Sequence, residues 1–178
     1  MELNIDIKNW PLDLLVDYVL KIYHRNALEM MPEIEELLDS VEAMHGDTHP
    51  EIHEVKELFK ASVYDLDVHF QKEENVLYPY ITDMYNAVAN GNTPEPIHCG
   101  SVAHPINVMV NDHEGETERY ERISSLTDSY ATSDANSDSY NLLMNKLKLF
   151  HKALLEHIYL ENEIIFPKAI AFESKYAG

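Results

Sequence analysis

The sequence predicts an all-α protein folded as an up-down-up-down four-helix bundle, and three observations predict it. Apolar residues recur at helical spacing through four long stretches, and valine and isoleucine seldom alternate with polar residues. Only five glycines occur in 178 residues, which favours helix over strand. Three polar or proline- and glycine-bearing breaks separate the stretches, and long helices joined in that way pack as antiparallel neighbours.

The first helix is expected from Pro11, a residue suited to a first turn, through Leu14, Val16, Leu20, Ala27, Leu28, Met31 and Leu38 to about Met44. Gly46-Asp47 ends it, and Pro32 inside it predicts a kink. A second helix starts near Thr48-His49-Pro50, carries Leu58, Ala61, Leu66, Val76, Leu77 and Ile81 on one face, and frays beyond Tyr85. Residues 90–100 read as a loop. The third helix opens at Ser101 or Pro105 and runs through Ile106, Met109, Val110, Tyr120, Ile123 and Leu126. After a polar break at residues 132–138, the fourth carries Leu143, Leu147, Phe150, Leu154, Leu160, Ile164 and Ile165.

Composition narrows the function classes. The length suits one domain over residues 1–178. Thirty-two acidic residues stand against 13 basic ones, for a formal net charge of −19. Such a field repels nucleic acid and anionic membrane surfaces alike, so a cation or a small neutral ligand is the easier partner. Self-repulsion favours a monomer, although the oligomeric state is left open. Cys99 is the only cysteine, which excludes an internal disulfide and a cysteine-based metal site and fits a reducing compartment. Residues 1–10 lack the apolar run of a signal peptide, and no stretch has the length of a membrane span. A cytoplasmic protein is expected.

Ten histidines are many for this length, and their placement is periodic. His69 is followed four residues later by Glu73 and then by Leu77-Tyr78-Pro79. His157 is followed likewise by Glu161 and by Ile165-Phe166-Pro167, 88 positions further on. His24 and His113 lie 89 apart, at nearly the same offset. The chain thus reads as two helical hairpins, each giving one histidine from its first helix and a His-x-x-x-Glu pair from its second. Distances from the turns agree: His24 lies 23 residues before Asp47 and His69 lies 22 after it, while His113 and His157 each lie 22 from Ala135. At about 1.5 Å of rise per residue, all four histidines fall at one level.

Residues at i and i+4 share a helix face, so each histidine–glutamate pair serves one site. Two carboxylates entering from opposite helices are placed to bridge two ions, with two histidines ending on each. The expected ligands are His24, His69, Glu73, His113, His157 and Glu161. Mixed nitrogen and oxygen donors suit iron or manganese better than calcium or magnesium, and zinc also accepts them. Such a set leaves coordination positions free for dioxygen, nitric oxide or peroxide. Asp65, one turn before His69, is the first choice to hydrogen-bond a ligand histidine, with Asp112 the weaker candidate. Tyr23, Tyr120 and Tyr159 lie near the same level and are expected to line the cavity. His45, His49, His53, His98, His104 and His151 fall outside the set by position, and Cys99 reads as incidental.

With these residues placed, the chain resembles the hemerythrin-like cation-binding family, and most closely its di-iron branch, the repair of iron centres proteins. The carrying segments are Tyr23-His24-Arg25, Val41 to Asp47, His69 to Glu74, Pro105-Ile106 with Asp112-His113-Glu114, and His157 to Asn162. The resemblance covers about Leu14 to Ala171. It implies a hemerythrin-like bundle, two iron ions on the same six ligands, and a stress role in restoring iron–sulfur clusters damaged by nitric oxide or peroxide, with iron donation as one route. Oxygen-carrying hemerythrins use a further histidine one turn from the third-helix ligand. Met109 and Thr117 stand at those positions here, which argues against simple oxygen carriage. The repair proteins also carry an N-terminal domain with cysteines, which this sequence does not show, and the stretch between Tyr85 and Gly100 is longer than their pattern requires. A dioxygen- or nitric oxide-binding sensor or store, and a di-iron reductase of nitric oxide or peroxide, stand as alternatives.

Overall fold

The computed structural model describes residues 7–98, 100–133 and 137–176. A short 3-10 turn at Ile7–Asn9 leads into four long helices: α1 (residues 12–45), α2 (51–89), α3 (103–126) and α4 (138–176). No strand occurs among the described residues. Helix α1 packs against α2 and α4, and α3 packs against the same two, closing an antiparallel ring. The four-helix bundle read from the sequence is the fold observed. Cys99 and Ala135 lie outside the described residues.

Three of the helices contain one wide, π-type turn: Val19–His24 in α1, Glu73–Leu77 in α2 and Glu161–Ile165 in α4. Proline explains two of them. Pro79 has no N–H for the Asn75 carbonyl and its ring crowds that oxygen, so the turn ahead of it opens. The Tyr78 N–H then reaches back five residues to Glu73. Pro167 does the same one repeat later, with the Phe166 N–H bonded to the Glu161 carbonyl. Arg25 closes the wide turn in α1 and Asn26 follows it where the other two have proline, so no proline marks the third turn. Pro32, where a kink was expected, sits inside an α-helical run from Arg25 to His45.

The wide turn in α1 resets the buried face on either side of it. Leu14 and Leu28, expected on the apolar face, point outward, and Leu12, Leu15, Val19 and Ile34 are buried instead. Helix α2 continues past Tyr85 to Ala89. Two apolar clusters result. One gathers Ile34, Leu38, Phe59, Ile123 and Leu147 at one end of the bundle; the other gathers Leu15, Ile81, Val102, Ile106 and Ile165 at the opposite end. Between them lies a belt of buried polar side chains.

Candidate metal centre

The belt contains His24, His69, His113, His157, Glu73 and Glu161, none more than 4% exposed. Each wide turn delivers part of it: His24 closes the one in α1, while Glu73 and Glu161 open the other two. The six form two groups of four, His24–Glu73–His157–Glu161 and His69–Glu73–His113–Glu161, whose donor atoms all lie within 4.8 Å of one another. Both carboxylates belong to both groups.

Glu73 Oε2 lies 3.2 Å from His24 Nε2 and 3.4 Å from His69 Nε2. Glu161 divides its oxygens, with Oε1 2.8 Å from His157 Nε2 and Oε2 3.1 Å from His113 Nε2. His69 Nε2 and His113 Nε2 face each other at 3.2 Å. Yet His24 Nε2, His157 Nε2, both oxygens of Glu73 and Glu161 Oε2 have no hydrogen bond of proper geometry. Buried polar atoms that approach one another without bonding are costly unless they share a further partner. A cation at the centre of each group supplies one, and this donor set fits it. These buried histidines and glutamates are able to hold metal.

Outward-facing ring nitrogens fix the orientation. His24 Nδ1 donates to Glu74 Oε1 at 2.8 Å, His113 Nδ1 to Asn162 Oδ1 at 2.9 Å, and His69 Nδ1 to Asp112 Oδ2 at 3.3 Å. Each such bond leaves the Nε2 lone pair pointing inward. Asp65 does not take this part: it pairs with Arg119 at 2.6 Å. His69 Nδ1 turns across to α3, where Asp112 precedes His113, so the weaker sequence candidate is the partner found. Rings are braced by aromatic neighbours, Phe70 stacked on His24, Tyr23 on His157 and Phe166 on His113.

Burial and charge oppose each other here. Burial favours a neutral ring on His69, but the Glu73 carboxylate outweighs it and the histidine is pushed up to about 9. His24 is raised by the same balance. Burial would raise the Glu161 carboxyl, yet His157 and His113 hold it well below the carboxylate range. Protons and a cation compete for these lone pairs.

A cavity of about 330 Å³ opens between α2 and α3 and reaches His69, His113 and His157, with Tyr64, Asp65, Lys72 and Arg119 on its wall. Glu116 also lines it, buried, accepting from Ser62 Oγ at 2.5 Å and paired with Arg119. Of the three tyrosines expected near the site, only Tyr23 touches it. Tyr120 stacks on Phe150 and His151 in the apolar core, and Tyr159 is half exposed on an outer groove. The histidines set aside by position stay apart: His53 pairs with Glu42, His49 with Glu51, and His151 with Tyr130. Sequence reasoning missed Tyr78, whose hydroxyl donates to Glu161 Oε1, and Glu116. The signal for Tyr78 was its place in the repeated aliphatic-aromatic-proline tail; Glu116 carried none.

Comparison with known proteins follows the same outline. The family model for the hemerythrin HHE cation-binding domain matches residues 15–169. The chain belongs to the hemerythrin family. Among curated proteins it is similar to the iron-sulfur cluster repair protein YtfE of Musicola paradisiaca, at 28% identity over 170 residues, covering 94% of this chain and 71% of the relative. The protein of that name in Pectobacterium carotovorum is 28% identical over 171 residues, covering 94% and 72%. In Yersinia pseudotuberculosis it is 27% identical over 168 residues, covering 94% and 70%. As a hemerythrin-family chain it has no described helix long and apolar enough to cross a membrane.

Proposed function

We propose that this hemerythrin-family protein holds two iron ions on His24, His69, Glu73, His113, His157 and Glu161, and that it serves in the cytoplasm to repair iron–sulfur clusters damaged by nitrosative or oxidative stress, by donating iron. The observation that carries this reading is the pair of four-donor groups sharing two carboxylates, with orphaned buried donors at their centres. Iron held there supplies exchangeable metal and one-electron chemistry. The chain's own part is to aim Nε2 atoms inward, through the bonds on Nδ1 of three histidines, and to bring both carboxylates between them in the buried belt. Manganese and zinc also suit these donors. The similarity to iron-sulfur cluster repair proteins supports the repair role.

The cavity at His69 and His113 favours a second reading, in which dioxygen, nitric oxide or peroxide enters and is bound or reduced. Metal content separates the site from its uses. Protein from iron-supplemented cells is expected to carry about two irons per chain, as two bridging carboxylates imply. The double variant Glu73→Ala, Glu161→Ala is expected to lose nearly all of it. Unchanged iron in the variant would overturn the ligand set. Iron passing from the loaded protein to an apo-ferredoxin supports donation, whereas a stable gas adduct or turnover with a reductant supports the second reading.

A further inference from the structure

The two hairpins repeat, but the residues behind their ligands do not. Glu74 behind His24 corresponds to Asn162 behind His113, and Asp112 behind His69 corresponds to Tyr23 stacked on His157. Each ion position therefore has one histidine backed by a carboxylate, His24 in one and His69 in the other, and to first order these contributions cancel. The second histidines differ, His113 being held by Asn162 through Nδ1 and His157 by its stack on Tyr23, and a further difference bears on the carboxylates: Tyr78 against Phe166. Both are buried in the same tail of the repeat, each beside the first-helix histidine of its own hairpin. Only Tyr78 carries a hydroxyl, and it donates to Glu161 Oε1, the oxygen beside His157. Glu73, the counterpart of Glu161 in the repeat, has no hydrogen bond on either oxygen.

We infer that Tyr78 is a positioning residue that makes the two ion positions unequal, anchoring Glu161 so that the ion between His24 and His157 is retained while the ion between His69 and His113 exchanges. This rests on the two-ion reading of the site. An anchored carboxylate meets its ion without first being ordered, whereas Glu73 must be ordered by the ion itself. The cavity adds to the contrast. It is lined by both histidines of the exchanging position and by only His157 of the retained one. Residues arranged this way would let one ion leave while His24, His157 and the anchored Glu161 would hold the other.

The test is extraction of cobalt(II) from the loaded protein by excess EDTA, followed through the visible bands of cobalt. Wild type is expected to release its ions in two phases of equal amplitude, with rates separated by about tenfold or more, the lower end of what such supporting bonds contribute. Tyr78→Phe should speed the slow phase towards the fast one. The double exchange Tyr78→Phe, Phe166→Tyr moves the anchor to Glu73 and should restore two phases, an outcome that a merely loosened fold would not give. One phase in wild type, or an unchanged ratio in Tyr78→Phe, would overturn the inference. So would a phenolate-to-iron(III) absorption band lost in Tyr78→Phe, because Tyr78 would then be a ligand. Total cobalt per chain is read in the same experiment: fewer than two ions in wild type would overturn the two-ion reading and this inference with it, whereas two ions leaving together would overturn this inference alone.

Discussion

At the scale of single residues, the bond from His69 to Asp112 joins two helices through one ligand and fixes which nitrogen faces inward. Asp112 also takes Lys72 Nζ at 2.9 Å, and these two partners outweigh the effect of burial to hold its carboxyl below the usual range. Asp112→Ala should lower metal affinity about 10- to 100-fold, as removal of such supporting bonds does. Asp65→Ala removes a half-exposed partner of Arg119 and should change affinity by no more than about twofold. Competition against a chelator of known affinity checks both, and equal losses would contradict the assignment. The six belt residues were legible because the i, i+4 pairing and the repeat each constrain them independently. Asp112 was ranked below Asp65 because spacing along one helix is visible in a sequence and reach between helices is not.

At the scale of elements, the four helices were legible from apolar periodicity, but their wide turns were not. A π-type turn adds no residue type of its own; Pro79 and Pro167 mark two such turns only once the hydrogen-bond ladder is known. The start of α3 was equally hidden. Its first turn is capped from the far end of α4, where Glu173 accepts from the Val102 N–H at 2.9 Å, from Ser101 Oγ at 2.6 Å and from the Tyr80 hydroxyl at 2.8 Å. Burial raises the Glu173 carboxyl, and the Ser101, Val102 and Tyr80 donors outweigh it, leaving it below its ordinary value of 4.5. A carboxyl depressed by folding stabilises the protein above its unfolded value and loses that contribution as pH falls through its folded one. Glu173→Gln is therefore expected to cost about 1 kcal/mol near neutral pH, the usual worth of a helix cap. The gap from wild type should close as pH falls below 4.5. Urea unfolding of both proteins across that range gives the measurement, and a gap that does not vary with pH would count against the cap.

At the scale of the molecule, the pairing of hairpins was read from offsets of 88 and 89 residues, and the belt's level from equal distances to the turns. What the sequence could not display is that this belt cuts the apolar interior into two clusters. Burial of apolar surface drives each cluster to fold, but across the belt six polar groups face one another, and their mutual attraction depends on what lies between them. The belt is therefore a seam in the cooperativity of the protein. Amide hydrogens at the Ile34 end and at the Ile81 end should exchange with separate opening free energies in metal-free protein, as two foldons. Loading with zinc at about 100 times its dissociation constant should add roughly 2.7 kcal/mol and draw the two towards one value. Hydrogen exchange read by mass spectrometry distinguishes the cases, and identical protection with and without zinc would show that the seam carries no such coupling. If the seam behaves in this way, a molecule that has just given up metal differs mechanically from one that has not, and an acceptor or a protease meeting it can read its cargo from how readily one end opens without the other.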